Sequence, residues 1–305
     1  MHIESIKNKK NILFITIVLN LIIVISQIIA GIYSHSISLI TDAIHNFQDV
    51  VSLIIAYVAI VFMAKKPTPK MTFGYKRAES IAGFVNSAVL IGAIILIIIT
   101  GIERLFSPQP VESVIVIIVG AIAFVINSIS AYLLGFHSHN HNHHSECHHH
   151  DEEDLNIKSA YLHLLSDAVI SLGVVIGGIA MYLFSIYWID PVLSIIFSIY
   201  ILKETTPVFK KSLRILMEGI PEEFNHNLVI NEIRTFPEII DIHDIHIWAL
   251  SSKDIYLTGH IVVENKEISQ LENLIKDLEK KLSQFGINHI TVQFETKNFK
   301  CEVKH

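Results

Sequence analysis

Apolar residues dominate the first two thirds of the chain, in runs long enough to cross a lipid bilayer. A span needs about 20 apolar residues to cover roughly 30 Å of hydrocarbon. The pattern predicts six such segments, at 12–33, 37–63, 81–105, 111–135, 157–184 and 188–206. Beyond residue 207 the texture changes, and apolar residues recur only at helical or alternating spacing. "FNHNLVINEIRTF" and "ISQLENLIKDLEKKL" read as amphipathic helices, "DIHDIHIWAL" and "DIYLTGHIVVE" as an antiparallel strand pair, and "NHITVQFE" as a third strand. That order fits a small α+β, ferredoxin-like sandwich with helices on one sheet face. The predicted organisation is a cytoplasmic N-terminus (1–11), a six-helix transmembrane domain (12–206) with a cytoplasmic loop at 136–154, a linker (207–221) and a cytoplasmic α+β domain (222–305).

Composition agrees with the pattern: the 305 residues are 51% hydrophobic, too apolar for an ordinary soluble domain. The first span is too long and lacks a small-residue cleavage site, so it reads as a helix that stays, not a signal peptide. Net charge is −6, but its placement is more informative. Lys7, Lys9 and Lys10 precede the first span, Lys65, Lys66, Lys70, Lys76 and Arg77 follow the second, and Lys203, Lys210, Lys211 and Arg214 follow the sixth. The opposite-side loops offer only Arg104. Basic loops stay in the cytoplasm, which puts both termini and the tail there. Cys147 and Cys301 fall on the same side, where thiols remain reduced and a disulfide framework is not expected. Abundant Lys, Asn and Ile point to a bacterium with an AT-rich genome, hence to the plasma (inner) membrane. Nothing points to nucleic acid or to an obligatory protein partner.

The second span, "LITDAIHNFQDVVSLIIAY", carries polar groups that are costly in lipid. A charged residue at a helix centre costs about 2.5–3.5 kcal/mol on insertion scales. His45 and Asp49 are spaced i, i+4 and so share a helix face. The fifth span repeats the arrangement with His163 and Asp167 in "AYLHLLSDAVISLGVVIGG". At about 1.5 Å per residue, each histidine lies about 12 Å in from its own side of the bilayer, so both pairs fall near the same layer. If the two spans touch, two imidazoles and two carboxylates converge. Such a set suits one ion such as zinc, which takes four N, O or S ligands tetrahedrally. The absence of sulfur disfavours Cu(I). The competing reading is a pair of interhelical hydrogen bonds. Asp42 is a partner orienting the His45 ring, a group in a water-filled entrance, or a plain residue near the helix start.

Between spans four and five, "GFHSHNHNHHSECHHHDEED" holds His137, His139, His141, His143, His144, His148, His149 and His150, with Cys147 among them. A low-complexity His tract reads as metal-collecting and cannot build a core, so a flexible loop is expected; a solvated spacer is the alternative. The acidic residues 151–154 attract cations or favour the start of the next helix. In the tail, His243, His246, His260, His289 and Glu295 lie on or beside strands, and some of them form a second metal site or stay merely exposed.

The segments "SLITDAIHNFQDVVSL", "TFGYKRAES", "HLLSDAVISLGVVIGG", "WIDPVLSI", "IHDIHIWALSS" and "HITVQFE" run in order along nearly the whole chain. Together they resemble the cation diffusion facilitator family of zinc transporters, and the His-rich loop resembles its zinc-exporting branch. The resemblance implies a homodimer exporting Zn²⁺ from the cytoplasm, usually in exchange for H⁺. It implies a transport site of His45, Asp49, His163 and Asp167, the His–Asp plus His–Asp form that goes with zinc; forms with Asp in place of the span-two His are more permissive. It likens the tail to a metallochaperone-like domain binding a regulatory zinc through His243, His260 and Glu295. It also implies a salt bridge between Arg77 and Glu218 that holds the membrane dimer. Some members carry further ligands in the loop after span two; "AKKPTPKMTFGYKR" has none, so no metal site is expected there. Cys301 and His305 stay open as additional ligands.

Other classes fit less well. An intramembrane metalloprotease would need a His-Glu-x-x-His helix and an open coordination position for water, and neither is present, so no enzymatic activity is expected. A non-transporting metal sensor would bind zinc without flux. A transporter of Cd²⁺, Co²⁺ or Ni²⁺ beside Zn²⁺ would share the same ligands.

Overall fold

The structure is a computed structural model that describes residues 21–139, 151–222 and 224–299. The chain divides into two compact units, Met1–Ile54 with Ala88–Thr205, and Ile55–Ser87 with Thr206–His305. Helices α2 (Ile37–Met63), α3 (Ala78–Phe106) and α6 (Ile189–Leu216) contribute residues to both. By contacts, residues 55–87 group with the tail.

The first unit also contains α1 (Leu21–Ser34), α4 (Ser113–His139) and α5 (Asp151–Phe184). Among the described residues, five helices, α2 to α6, are long and apolar enough to cross a membrane. The described part of α1 is shorter, and residues 12–20 of the first predicted span lie outside the described residues. The core gathers Leu39 of α2, Val116 of α4, Ile170, Val174 and Met181 of α5, and Phe197 of α6. Close approach replaces hydrophobic drive inside lipid, where small residues let helices meet. A Cβ on Gly173 would lie 2.8 Å from Phe197 Cζ, and one on Gly178 2.9 Å from Ile117 Cγ1.

The start of α2 is fixed by a residue of α6. The carboxylate of Asp190 is fully buried. It accepts from the backbone N–H groups of Ile37 (2.6 Å) and Ser38 (3.2 Å) and from the hydroxyls of Ser36 (2.6 Å) and Ser38 (2.5 Å). The first N–H groups of a helix have no intrahelical acceptor, so this carboxylate caps α2 from another helix.

Three expected boundaries shift. The loop expected at 136–154 is helical at both ends, because α4 continues to His139 and α5 begins at Asp151. Helix propagation is cooperative, and an acidic first turn complements the helix dipole. His137 and His139 therefore sit on α4, while His141, His143, His144, Cys147, His148, His149 and His150 lie outside the described residues, as do Cys301 and His305. The residues read as a linker from 207 are helical to Leu216, with Pro207 inside α6.

The second unit holds the tail. Strands β1 (Ile239–Ala249), β2 (Ile255–Val263) and β3 (Ile287–Glu295) form one sheet in that order. β1 and β2 are antiparallel, and β2 and β3 are parallel. Parallel neighbours need a crossover, supplied by α8 (Ile268–Leu282). α7 (His226–Ile233) begins at Asn225, whose side chain accepts from the Leu228 N–H at 3.2 Å. Leu274, Leu278 and Leu282 of α8, at i, i+4 and i+8, bury one face with Val229 and Ile233 of α7 against Ile242, Leu257 and Ile261 of the sheet.

The segment 64–77 packs within this unit. Lys76 Nζ hydrogen-bonds the carboxylate of Asp254 and lies 3.3 Å from Tyr256 Oη. The Phe73 ring meets Tyr256 edge-on at 5.4 Å. The bond to Asp254 holds the Lys76 amine above its usual value, outweighing the opposing effect of burial. Burial pushes the Asp254 carboxyl up, but hydrogen bonds from Lys76 and Ser251 leave it below the usual carboxylate range.

Candidate metal centres

The first centre joins α2 and α5. On each helix the His and Asp are one turn apart, and the pairing crosses between helices. His45 Nε2 lies 3.1 Å from Asp167 Oδ1, and His163 Nε2 lies 3.4 Å from Asp49 Oδ2. His163 Nε2 is also 3.9 Å from Asp167 Oδ2, and the two imidazoles meet edge-on at 5.8 Å. Ligand atoms bound tetrahedrally at about 2.0–2.1 Å stand about 3.3 Å apart, and these separations bracket that value. Among the described residues, His45, His163 and Asp167 form one of two clusters whose ligand atoms all lie within 4.8 Å of one another; Asp49 joins through His163.

The two pairs differ in exposure. The side chains of His45 and Asp167 are 10% and 5% exposed, against 43% and 33% for His163 and Asp49. Within the chain, His45 and Asp167 are therefore the more enclosed pair.

Asp42 is fully buried and so does not line an open entrance. Its Oδ2 accepts from Gln27 Nε2 at 2.6 Å and Ser171 Oγ at 3.1 Å. Neither Gln27 nor Asp190 was singled out in the sequence; a glutamine and an aspartate within apolar segments were the available signals, since polar groups in lipid demand partners.

The second centre lies on the sheet. His243 and His260 are directly opposite on β1 and β2. His243 Nε2 lies 3.3 Å from Glu295 Oε2, and His260 Nδ1 lies 2.9 Å from Glu295 Oε1. The Glu295 side chain, on β3, is only 2% exposed. Two imidazoles and a buried carboxylate fit a zinc ion. Asp244, which sequence reasoning passed over, stands beside this set. It sits at φ 52 where the register of β1 shifts between His243 and His246. Its carboxylate lies 3.0 Å from His246 Nε2 and 3.7 Å from His260 Nε2. Strained non-glycine backbone beside a ligand cluster is a recurrent feature of functional sites. His289 is placed elsewhere, with its ring 5.3 Å from that of Tyr256.

Arg77 Nη2 and Glu218 Oε1 pair at 2.7 Å within one chain, with side chains 36% and 65% exposed.

A bundle of membrane-length helices with a His/Asp cluster between two of them defines a multi-pass membrane protein of the metal-cation class. Residues 13–217 match the cation efflux transmembrane domain, and residues 221–297 match the cytoplasmic domain of cation efflux proteins. The chain belongs to the cation efflux family. It is 35% identical, over 94% of its length and 89% of the relative's, to a cadmium, cobalt and zinc/H(+)-K(+) antiporter of Bacillus subtilis. It is 32% identical, over 89% and 82%, to the metal cation efflux system protein CzcD of Cupriavidus metallidurans. It is 30% identical, over 100% and 90%, to the zinc transporter ZitB of Pectobacterium atrosepticum.

Proposed function

We propose that this chain, as a homodimer in the plasma (inner) membrane with both termini cytoplasmic, exports Zn²⁺ from the cytoplasm in exchange for H⁺. The observation that carries the reading is the crossed pairing of His45 with Asp167 and His163 with Asp49 between α2 and α5. These four residues are the transport site. Names of relatives that include zinc and H⁺ support the choice of substrate and counter-ion; the same names include cadmium and cobalt, which the ligand set also accommodates.

Zinc binding needs neutral imidazoles and ionised carboxylates, so protons and Zn²⁺ compete for the same atoms. Without metal, each imidazole can give a proton to a carboxylate of the other helix; with metal, those protons must leave. Protonation of the imidazoles at an acidic exterior therefore drives release. The more exposed pair, His163 and Asp49, lies on the side that the basic loops assign to the cytoplasm, as an inward-open site requires. Rocking around a midplane site then gives alternating access.

In the tail, His243, His260 and Glu295 would hold a regulatory zinc, which would cross-link β1, β2 and β3. Arg77 and Glu218 position the membrane-proximal part of the dimer. The His-rich segment concentrates zinc at the cytoplasmic face.

The test is zinc uptake into proteoliposomes loaded with a zinc-responsive dye and given an acidic interior, comparing wild type with Asp49→Ala. Uptake that requires the pH gradient and vanishes in the variant is expected. Zinc binding without uptake in the wild type would instead indicate a sensor.

A further inference from the structure

Within the second unit, a cavity of about 770 Å³ lies between the segment 64–77 and the sheet. Its sheet side is apolar and aromatic, formed by Ile245, Ile247 and Trp248 of β1. The other side carries Lys70, Met71 and Phe73. Met71 and Phe73 are 44% and 52% exposed. Lys70 stands at the tip of a tight turn. The backbone N–H groups of Thr68 and Met71 each donate to the other's carbonyl, at 3.1 and 3.0 Å, and Pro69 presets the first central position. Gly74 follows at φ 71, a left-handed conformation that suits glycine, and donates to the Met71 carbonyl at 2.9 Å. The segment that presents Lys70 is therefore ordered by its own backbone.

The cations near this cavity fall into two groups. Lys76 is bonded to Asp254 and Arg77 to Glu218, so their charges are balanced within the protein. Lys66 and Lys70 have no carboxylate partner among the described residues. Open positive charge thus stands at the rim of an apolar cavity. Its level in the membrane follows from helix length. About 20 residues cover the hydrocarbon, and α2 has 27. Its last turn and the segment after it therefore stand among the headgroups, on the side that the basic loops assign to the cytoplasm. That leaflet carries a negative surface potential that attracts juxtamembrane Lys and Arg.

We propose that this cavity binds an anionic phospholipid of the cytoplasmic leaflet. The Lys70 ammonium takes the headgroup phosphate, and the glycerol-ester region lies against Met71, Phe73 and Trp248. The inference rests on the membrane orientation and not on either metal centre. A small soluble anion would engage Lys70 but leave the exposed Met71 and Phe73 in water. A second copy of this chain, applied to the same face by a two-fold axis, would oppose like charges. An anionic lipid matches the apolar wall and the open charge together.

The test is Trp248 emission of the full-length protein in neutral detergent, in a Trp188→Phe background that leaves Trp248 as the only indole. The probes are dioctanoyl phosphatidylglycerol, dioctanoyl phosphatidylcholine and inorganic phosphate. A saturable change with phosphatidylglycerol is expected, with weaker binding of phosphatidylcholine and no response to inorganic phosphate. Lys70→Gln is expected to weaken phosphatidylglycerol binding about fivefold. Lys276→Gln, the same charge change at an exposed position of α8, is expected to leave it unchanged. Lys70 is exposed and unpaired, so its replacement leaves folding intact. Equal binding of the two lipids, or no effect of Lys70→Gln, overturns the inference. A response to inorganic phosphate that matches the lipid's overturns it in favour of a plain anion site. Emission that follows protein concentration instead of lipid overturns it in favour of a second copy.

Discussion

His45 on α2 and Asp167 on α5 are separated by 122 positions, yet their side chains lie 3.1 Å apart and are nearly buried. Each is also one turn from the other member of its own His–Asp motif. The bond therefore couples two local patterns into one site. His45→Ala is expected to reduce zinc uptake in proteoliposomes to the protein-free background while the variant elutes as wild type in detergent. Normal transport by this variant would mean that the site lies elsewhere.

Ligand chemistry gives a second expectation. Replacing the borderline nitrogen of His45 by a hard oxygen, as in His45→Asp, shifts the donor set away from zinc and towards manganese. The ratio of Mn²⁺ to Zn²⁺ uptake should rise, with absolute zinc transport reduced. An unchanged ratio would show that selectivity is set outside these four residues.

Much of this site was legible in the sequence because it is local twice over: i, i+4 spacing is a property of one helix, and the matched depth of His45 and His163 follows from rise per residue. The contact between α2 and α5 was conditional until the structure supplied it. The second span, 37–63, coincides with α2 because apolar periodicity ends where Lys65 and Lys66 begin. α6 outran its expected end by continuing through polar residues to Leu216, where hydropathy no longer signals a helix but intrahelical bonds persist. The cap of α2 by Asp190 and the Gln27–Asp42 bond are long-range pairings that no local pattern encodes. Asp244 was hidden for another reason: it looks like one polar residue in an alternating strand, and only the shifted register beside His243 reveals its position.

The sheet centre makes a prediction independent of transport. A ligand that binds only the folded state stabilises it by about 2.7 kcal/mol at 100 times its Kd. Zinc should therefore slow amide hydrogen exchange in β1, β2 and β3 of the full-length protein, and His260→Ala should abolish the effect. Retained protection in His260→Ala would remove His260 from the centre.

Lys76 and Asp254 predict a pH window for the second unit. Asp254 has a folded value below its ordinary 3.8, so its contribution is present above 3.8 and is lost as pH falls through the lowered folded value. Lys76 has a folded value above its ordinary 10.5, so its contribution is full below 10.5 and is lost as pH rises through the raised value. The pair is partly exposed and so contributes about 0–1 kcal/mol. Trp248 stacks on Tyr256, which Lys76 also touches, with ring centroids 5.8 Å apart. In a Trp188→Phe background, indole fluorescence should report this contact. Lys76→Met should perturb it at neutral pH and lose the acid-side transition attributable to the pair. An acid transition unchanged by Lys76→Met would show that other carboxylates govern it.

Arg77 and Glu218 test whether an exposed charge pair positions a dimer. The 2.7 Å contact is made within one chain, and Glu218 holds a left-handed backbone at φ 59, immediately after α6 and its terminal turn. At about 0–1 kcal/mol, such a pair is too weak to hold two subunits together by itself. What it can do is fix the start of α3 relative to the end of α6. Arg77→Glu should therefore lower the zinc transport rate severalfold, by the loss of roughly 1 kcal/mol in favour of the competent arrangement, while leaving equilibrium zinc binding unchanged. Glu218→Arg combined with Arg77→Glu restores the pair with its charges exchanged and should recover most of the rate. Dimer content, measured by light scattering in detergent, should stay near wild type in both variants. Loss of the dimer in Arg77→Glu, restored by the exchange, would instead assign the pair to assembly; failure of the exchange to restore rate would leave each residue acting through a separate partner.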